Sequence, residues 1–449
     1  MSERLVVIGG DAAGMSAASQ ARRRRDVNDL VIDVFEMTQR VSYSACGEPY
    51  YVSGDVPRID QLIARTPAQF AQQDITVHLG HEVIEIDIDD RIVIVRSDGE
   101  TRNVPFDQLV YATGARPIRP PMEGIDLNGV FHVKTLDDAE AIRTAAEQAE
   151  TAVVVGGGYI GLEMAEAFHV RGITTHLITS GAVVMNRSLD EDLGARITVG
   201  MRERGIQVYP GHRVKCLADH EGHVRGVEVG EAVLDADLVV LALGTRPISE
   251  LAAEAGIRIG PTGAVQVNNR QQTSVKGIWA AGDCAEALHR LTGRPANVHL
   301  GTVANKQGRV AGINIGGEDA TFPGILGTAI TKVLDIEIAR TGLTQQEAEE
   351  AGIDAVSATT ESTTMAGYWP ASTDMTLKVT AERGTGRLLG AQIVGGGTAG
   401  KRIDPLATGI WNNMDGLSFS MMDLSYAPPF SGTWDPVLVA ARRAYEKAV

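Results

Sequence analysis

The chain opens on Leu5-Val6-Val7-Ile8-Gly9-Gly10-Asp11-Ala12-Ala13-Gly14. An unbroken apolar run that ends at glycine reads as a buried strand. Small residues follow and read as a helix over 15–24, and residues 30–35 form a second apolar strand ending in Glu36. Strand, glycine turn, helix and strand make a βαβ unit. Gly9 and Gly14 permit the tight turn and let the backbone approach a pyrophosphate, toward which the helix N-terminus directs free N–H groups. Glu36 lies 36 − 14 = 22 residues past Gly14, near the ~20 expected of an acid that binds a ribose diol. Asp11 stands where GxGxxG has its second glycine.

The pattern returns 156 − 9 = 147 residues later. Residues 151–155 are a strand, Gly156-Gly157-Gly158-Tyr159-Ile160-Gly161 a complete GxGxxG turn, 162–171 a helix and 174–179 the next strand. Two such openings mean two dinucleotide-binding domains. The second strand ends in Thr179-Ser180 rather than an acid, which leaves NADPH open beside NADH. Arg187 is a candidate for a 2′-phosphate, or else a solvated surface charge.

The rest of the sequence bounds the class. With 41 basic and 57 acidic residues the net charge is −16, which argues against nucleic-acid binding and anionic membranes. Cys46, Cys216 and Cys284 are too few and too far apart for a disulfide framework or a metal site, so no metal is expected. No charged and apolar leader precedes the first strand and no apolar run approaches the ~20 residues of a membrane span, so a cytoplasmic location is expected. Residues 81–96 alternate like β structure. From about 328 the texture becomes α+β, with strands at 328–333, 338–341, 376–379 and 388–394 and helices at 345–351 and 436–447.

The two turns, together with Tyr111-Ala112-Thr113-Gly114-Ala115-Arg116-Pro117 and Trp279-Ala280-Ala281-Gly282-Asp283, resemble the flavoprotein pyridine nucleotide–disulfide oxidoreductases over nearly the whole chain. The resemblance implies an α/β fold with two Rossmann-like, glutathione-reductase-like domains and a C-terminal α+β dimerisation domain. Residues 1–115 and 250–325 would bind FAD, 116–249 NAD(P)H, and 326–449 would form the dimer. It implies FAD at Gly9, Gly14, Glu36, Thr113, Gly114 and Asp283, and NAD(P)H at Gly156, Gly158 and Gly161, with Tyr159 and Glu163 orienting the nicotinamide. The segment 304–309 would run under the flavin, and His299 is either a proton donor there or a structural histidine.

Ser42-Tyr43-Ser44-Ala45-Cys46-Gly47-Glu48-Pro49-Tyr50-Tyr51 narrows the resemblance to the single-cysteine branch, because Tyr51 replaces the second cysteine of CxxxxC. That branch contains coenzyme A-disulfide reductases, sulfur or persulfide reductases, NADH oxidases and NADH peroxidases. A lone thiolate can attack a sulfur or a peroxide oxygen and rest as a mixed disulfide or a sulfenic acid. A helix N-terminus beside Cys46 would lower its pKa. The first turn lacks the histidine of the oxidases and peroxidases, which favours the reductases. Gly367-Tyr368-Trp369-Pro370 and Tyr426-Ala427-Pro428-Pro429-Phe430 resemble segments whose tyrosines, Tyr368 and Tyr426, reach the partner subunit's cysteine. Gln20, Arg23 and Ser42 match residues that hold coenzyme A, and the run Arg22–Arg25 is a candidate for its phosphates. The expectation is therefore hydride transfer from NAD(P)H through FAD to a small-molecule disulfide or persulfide, with coenzyme A the candidate thiol, in a homodimer. The alternatives are a sulfenic-acid oxidase or peroxidase and a ferredoxin-reductase-like electron-transfer flavoprotein. No sulfur-delivering domain is expected after Val449.

Overall fold

The computed structural model describes residues 2–449. The chain divides into two compact units, one of Met1–Glu48, Arg58–Ile118 and Thr245–Ile325, the other of Pro49–Pro57, Arg119–Gly244 and Leu326–Val449.

The first unit is built on a parallel five-stranded sheet in the order Ile278–Ala280, Gln108–Tyr111, Glu3–Ile8, Leu30–Glu36 and Ile75–Leu79. Val7 pairs with Val34 on one side and Val110 on the other. Leu5, Val6 and Val7 are 0% exposed. A central strand covered on both faces has no solvent side, which is why its sequence is continuously apolar rather than alternating. The helix after the glycine turn spans Ala12–Arg22, starting three residues before the expected Met15 (15 − 12). It packs against the helix Gly301–Ile315, and Gly308 and Gly312 make the approach possible. A Cβ on either would lie 2.1 Å from the Ala13 carbonyl oxygen or 2.2 Å from that of Ala17. The alternating stretch forms a three-stranded antiparallel sheet, Glu82–Asp87, Ile92–Ser97 and Glu100–Pro105.

The second unit repeats the plan. Its parallel sheet runs in the order Gln207–Pro210, Thr174–Thr179, Thr151–Val155, Leu238–Leu241 and Val130–Phe131. Its own three-stranded antiparallel sheet is Val214–His220, His223–Val229 and Ala232–Asp235. An antiparallel five-stranded sheet follows, in the order Ala329–Val333, Ile336–Gly342, Leu388–Gly395, Asp374–Glu382 and Ala355–Thr363. Leu162, Phe168, Leu177 and Leu193 share one apolar cluster with Val333, Ile338 and Val394 of that sheet. The edge strand Ala355–Thr363 has no counterpart in the sequence reading. Its Ser- and Thr-rich sequence carries little apolar signal, and pairing with Asp374–Glu382 holds it. Among the described residues no helix is long and apolar enough to cross a membrane.

Candidate active site

The first glycine turn sits at the carboxyl end of Glu3–Ile8. Gly9 has φ +102°, and a Cβ there would lie 2.2 Å from the Ala112 carbonyl oxygen. No other residue fits both constraints. The helix Ala12–Arg22 has no side-chain cap and no acid in its first turn, whereas Thr66 and Thr135 cap the helices Pro67–Ala71 and Leu136–Ala146. Its first N–H groups and its positive dipole end thus remain available to an anion. The Glu36 carboxylate accepts from the N–H of Gly10 and of Thr38, each at 2.8 Å. Those bonds fix it at the strand end beside the turn.

Thr113 and Gly114 follow the strand Gln108–Tyr111. The Thr113 hydroxyl donates to the Ile248 carbonyl at 2.7 Å, so it ties the returning chain, and Gly114 turns at φ +70° with open space where a Cβ would stand. Asp283 follows Gly282, whose N–H is held by Gln307 Oε1 at 2.9 Å. The uncapped helix end, the oriented Glu36 and the open backbone at Gly114 form a cradle that fits the pyrophosphate and ribose of FAD.

The cysteine loop is pinned to this cradle. Ser42 N–H donates to the Gly10 carbonyl at 2.9 Å, and Tyr43 N–H to Asp11 Oδ1 at 3.2 Å. Asp11 therefore has a task that a glycine could not perform. Ser42 holds φ +49°, a left-handed conformation uncommon outside glycine. Ser44 N–H bonds to the Leu62 carbonyl at 2.8 Å. Cys46 is exposed in the 3-10 turn Ala45–Gly47, which runs into the short helix Glu48–Ser53. Glu48 is 2% exposed at the first position of that helix, where the dipole favours a carboxylate.

The second turn lies within the other unit. Gly156 turns at φ +126° against the Ala242 carbonyl, and Gly161 packs on the Gly156 carbonyl. A Cβ on Gly158 would meet nothing within 4 Å, so the fold leaves the space beside it open. The helix Tyr159–Val170 starts with neither a side-chain cap nor an acid. Glu163 accepts from the Thr331 hydroxyl at 2.7 Å, and Glu166 is paired with Lys332. Burial raises the Glu163 carboxyl above its ordinary value, with Thr331 opposing and neighbouring Glu166 adding to the rise. Burial likewise raises the Tyr159 hydroxyl, against the opposing charge of Arg340. Sequence reasoning missed Thr331, Lys332 and Glu166. Only the Glu163/Glu166 spacing on one helix face hinted at them.

Tyr368 and Tyr426 are 74% and 49% exposed, so neither packs in the core. Their segments lie side by side, with Ala366 N–H bonded to the Pro428 carbonyl and the Arg402 guanidinium bonded to the carbonyls of Thr364 and Phe430. The structure gives most of the arginine run partners within the chain. Arg22 is spent on the carbonyls of Arg25, Leu30 and Asp74. Arg24 bonds Gln20 and pairs with Glu318, and Arg25 pairs with Glu3. Closing the helix end takes three of the four cations, and only Arg23 stays exposed. Gln20 is buried with its Oε1 on Arg24. His299 stands just before the helix Gly301–Ile315, sharing 2.5 Å hydrogen bonds with Thr245 and Asn297. Cys284 is buried, and Cys216 lies on the antiparallel strand Val214–His220, so neither joins the site. No metal-binding cluster occurs among the described residues.

Comparison with known proteins agrees with this geometry. Over 98% of each chain, the protein is 41% identical to a protein of Pyrococcus horikoshii named NAD(P)H coenzyme A polysulfide/persulfide reductase. It is 35% identical to an NADH oxidase of Methanocaldococcus jannaschii over 99% of each chain. The structure of an NAD-dependent persulfide reductase from A. fulgidus superposes with a TM-score of 0.96 at 40% identity, covering 99% of this chain and 83% of that one. Residues 3–308 match the pyridine nucleotide-disulphide oxidoreductases and residues 328–437 match their dimerisation domain. The chain belongs to that family and is an FAD-dependent NAD(P)H oxidoreductase.

Proposed function

We propose that the protein reduces small-molecule disulfides or persulfides, with coenzyme A the thiol that its site takes. The observation that carries this reading is a single exposed cysteine, Cys46, seated in a loop bonded at Ser42 and Tyr43 to the first glycine turn. Bound FAD supplies the two-electron link between nicotinamide and sulfur chemistry.

Gly9, Gly14, Glu36, Thr113, Gly114 and Asp283 hold that cofactor, while Gly156, Gly158, Gly161, Tyr159 and Glu163 hold and orient the nicotinamide nucleotide. The Cys46 thiolate attacks one sulfur of RSSR, the S–S bond breaks and RS⁻ leaves. The Cys46–S–S–R mixed disulfide then receives two electrons and a proton, as a hydride equivalent, from NAD(P)H. RSH and the Cys46 thiolate are restored and NAD(P)⁺ leaves. Arg23 and Ser42 are the groups available to the thiol, Arg23 because it alone of the run remains in solvent. Tyr368 and Tyr426, exposed on neighbouring segments, act on the partner subunit's site in a homodimer and stabilise the leaving thiolate.

Two measurements test the reading. Cys46→Ser is expected to lose about a hundredfold or more in turnover of coenzyme A disulfide. Intact mass after anaerobic mixing with that disulfide is expected to show one coenzyme A on Cys46. One added oxygen in place of the adduct, with turnover of dioxygen, would transfer the assignment to the oxidase reading that the M. jannaschii relative's name represents.

A further inference from the structure

We infer that the second nucleotide site takes NADPH in preference to NADH, through Arg187 and Arg213. The inference rests on NAD(P)H use and not on the identity of the sulfur substrate.

The two glycine turns supply an internal comparison. In the first, a Cβ on Gly10 would lie 3.0 Å from the Glu36 side chain, and Glu36 carries the carboxylate suited to a ribose diol. In the second, a Cβ on Gly157 would lie 2.8 Å from the Thr179 side chain. Thr179 therefore occupies at the second site the place Glu36 holds at the first. Its side chain is neutral and ends in a hydroxyl that accepts from Gly181 N–H at 3.4 Å. The negative charge that would repel a 2′-phosphate is absent.

Two loops bring positive charge to the same place. Met185 N–H donates to the Gly157 carbonyl at 2.7 Å, folding against the turn the segment 181–188, which carries Arg187. Met185 takes φ +57° to make that bend. Gly211 N–H donates to the Gly181 carbonyl at 2.8 Å and His212 N–H to the Thr179 carbonyl at 3.0 Å, so residues 211–213 lie along the strand end. Ser180, Arg187, His212 and Arg213 are all exposed there. Neither 172–189 nor 204–218 contains an acid, although the chain as a whole carries −16. Of the acids that flank these stretches, Asp190 and Asp192 share Lys378 at 2.8 and 2.9 Å, while Glu191, Glu203 and Asp219 lie just outside them. Charge-assisted hydrogen bonds from guanidinium to phosphate are the strongest contacts this surface can make.

The test is calorimetric titration of the FAD-loaded enzyme with NADP⁺ and NAD⁺, alongside kcat/KM for NADPH and NADH. NADP⁺ is expected to bind about tenfold or more tightly than NAD⁺. 2′,5′-ADP is expected to compete where 5′-ADP does not. Arg187→Ala and Arg213→Ala should each shrink the ratio severalfold, and Thr179→Glu should reverse it. Raising the salt should also shrink it. Equal affinities or tighter binding of NAD⁺ would overturn the preference, and a ratio that neither arginine substitution moves would overturn its origin in Arg187 and Arg213. Failure of both nucleotides to bind would overturn the assignment of the second site, and the preference with it.

Discussion

Cys284 and Cys46 share a residue type and have opposite fates. Cys284 is 0% exposed, and its sulfur lies 3.4 Å from the carbonyl oxygens of Tyr111 and Ala281. Burial, the leading cause, pushes its thiol up to about 11. Below about pH 9 both folded and unfolded chains keep that proton. Between about 9 and 11 only the unfolded chain loses it, so stability falls as pH rises through that window. The loss by pH 10.5 is expected to be about 2 kcal/mol. Cys284→Ala should flatten the alkaline slope of the urea midpoint, and an unchanged slope would reject the linkage. At pH 8, iodoacetamide should label Cys46 in the folded protein and spare Cys284. The flanking segment Ser42–Tyr51 singled out Cys46 in the sequence, whereas the burial of Cys284 comes from neighbours that the fold supplies.

At the scale of elements, the paired helices Ala12–Arg22 and Gly301–Ile315 place the first turn. Their contact depends on glycine at 308 and 312, because backbone carbonyls occupy the space a methyl would need. Gly308→Ala is expected to cost about 1–3 kcal/mol, as overpacking does. It should also weaken retention of FAD, measured as flavin released during gel filtration. Full stability with full flavin would show that the helix pair tolerates separation. The strands beside both turns were legible because each is a short apolar run with glycine immediately after it. Ala355–Thr363 was not, because an edge strand of serine and threonine has its partner 374 − 363 = 11 residues further on and no period of its own. The arginine run was legible as charge, but its partners at Leu30, Asp74 and Glu318 were not, because they come from other parts of the fold.

At the scale of the whole molecule, Tyr368, Met421, Phe430 and Trp434 leave large apolar surfaces in solvent on one chain. These residues fall within the region matched to the dimerisation domain. A second copy covering them is expected, giving a species of 2 × 47.7 = 95.4 kDa in sedimentation. Phe430→Asp should shift it toward monomer and lower disulfide turnover in parallel. A monomeric parent at micromolar concentration would reject the dimer and the cross-subunit roles of both tyrosines.

The sequence by itself determined the class of fold, the two glycine turns and the lone cysteine of the Ser42–Tyr51 segment. Each is written in a contiguous run in which strand, glycine and helix signals follow one another within about 30 residues. Only the tertiary structure decided which groups are free to act. It joined Glu163 to Thr331 across 168 residues, gave Asp11 the Tyr43 amide, withdrew Arg22, Arg24 and Arg25 into ion pairs and carbonyl bonds, and bonded the His212 amide to the Thr179 carbonyl. Such partners meet through chain folding, and a residue's identity records its chemistry without recording who stands next to it.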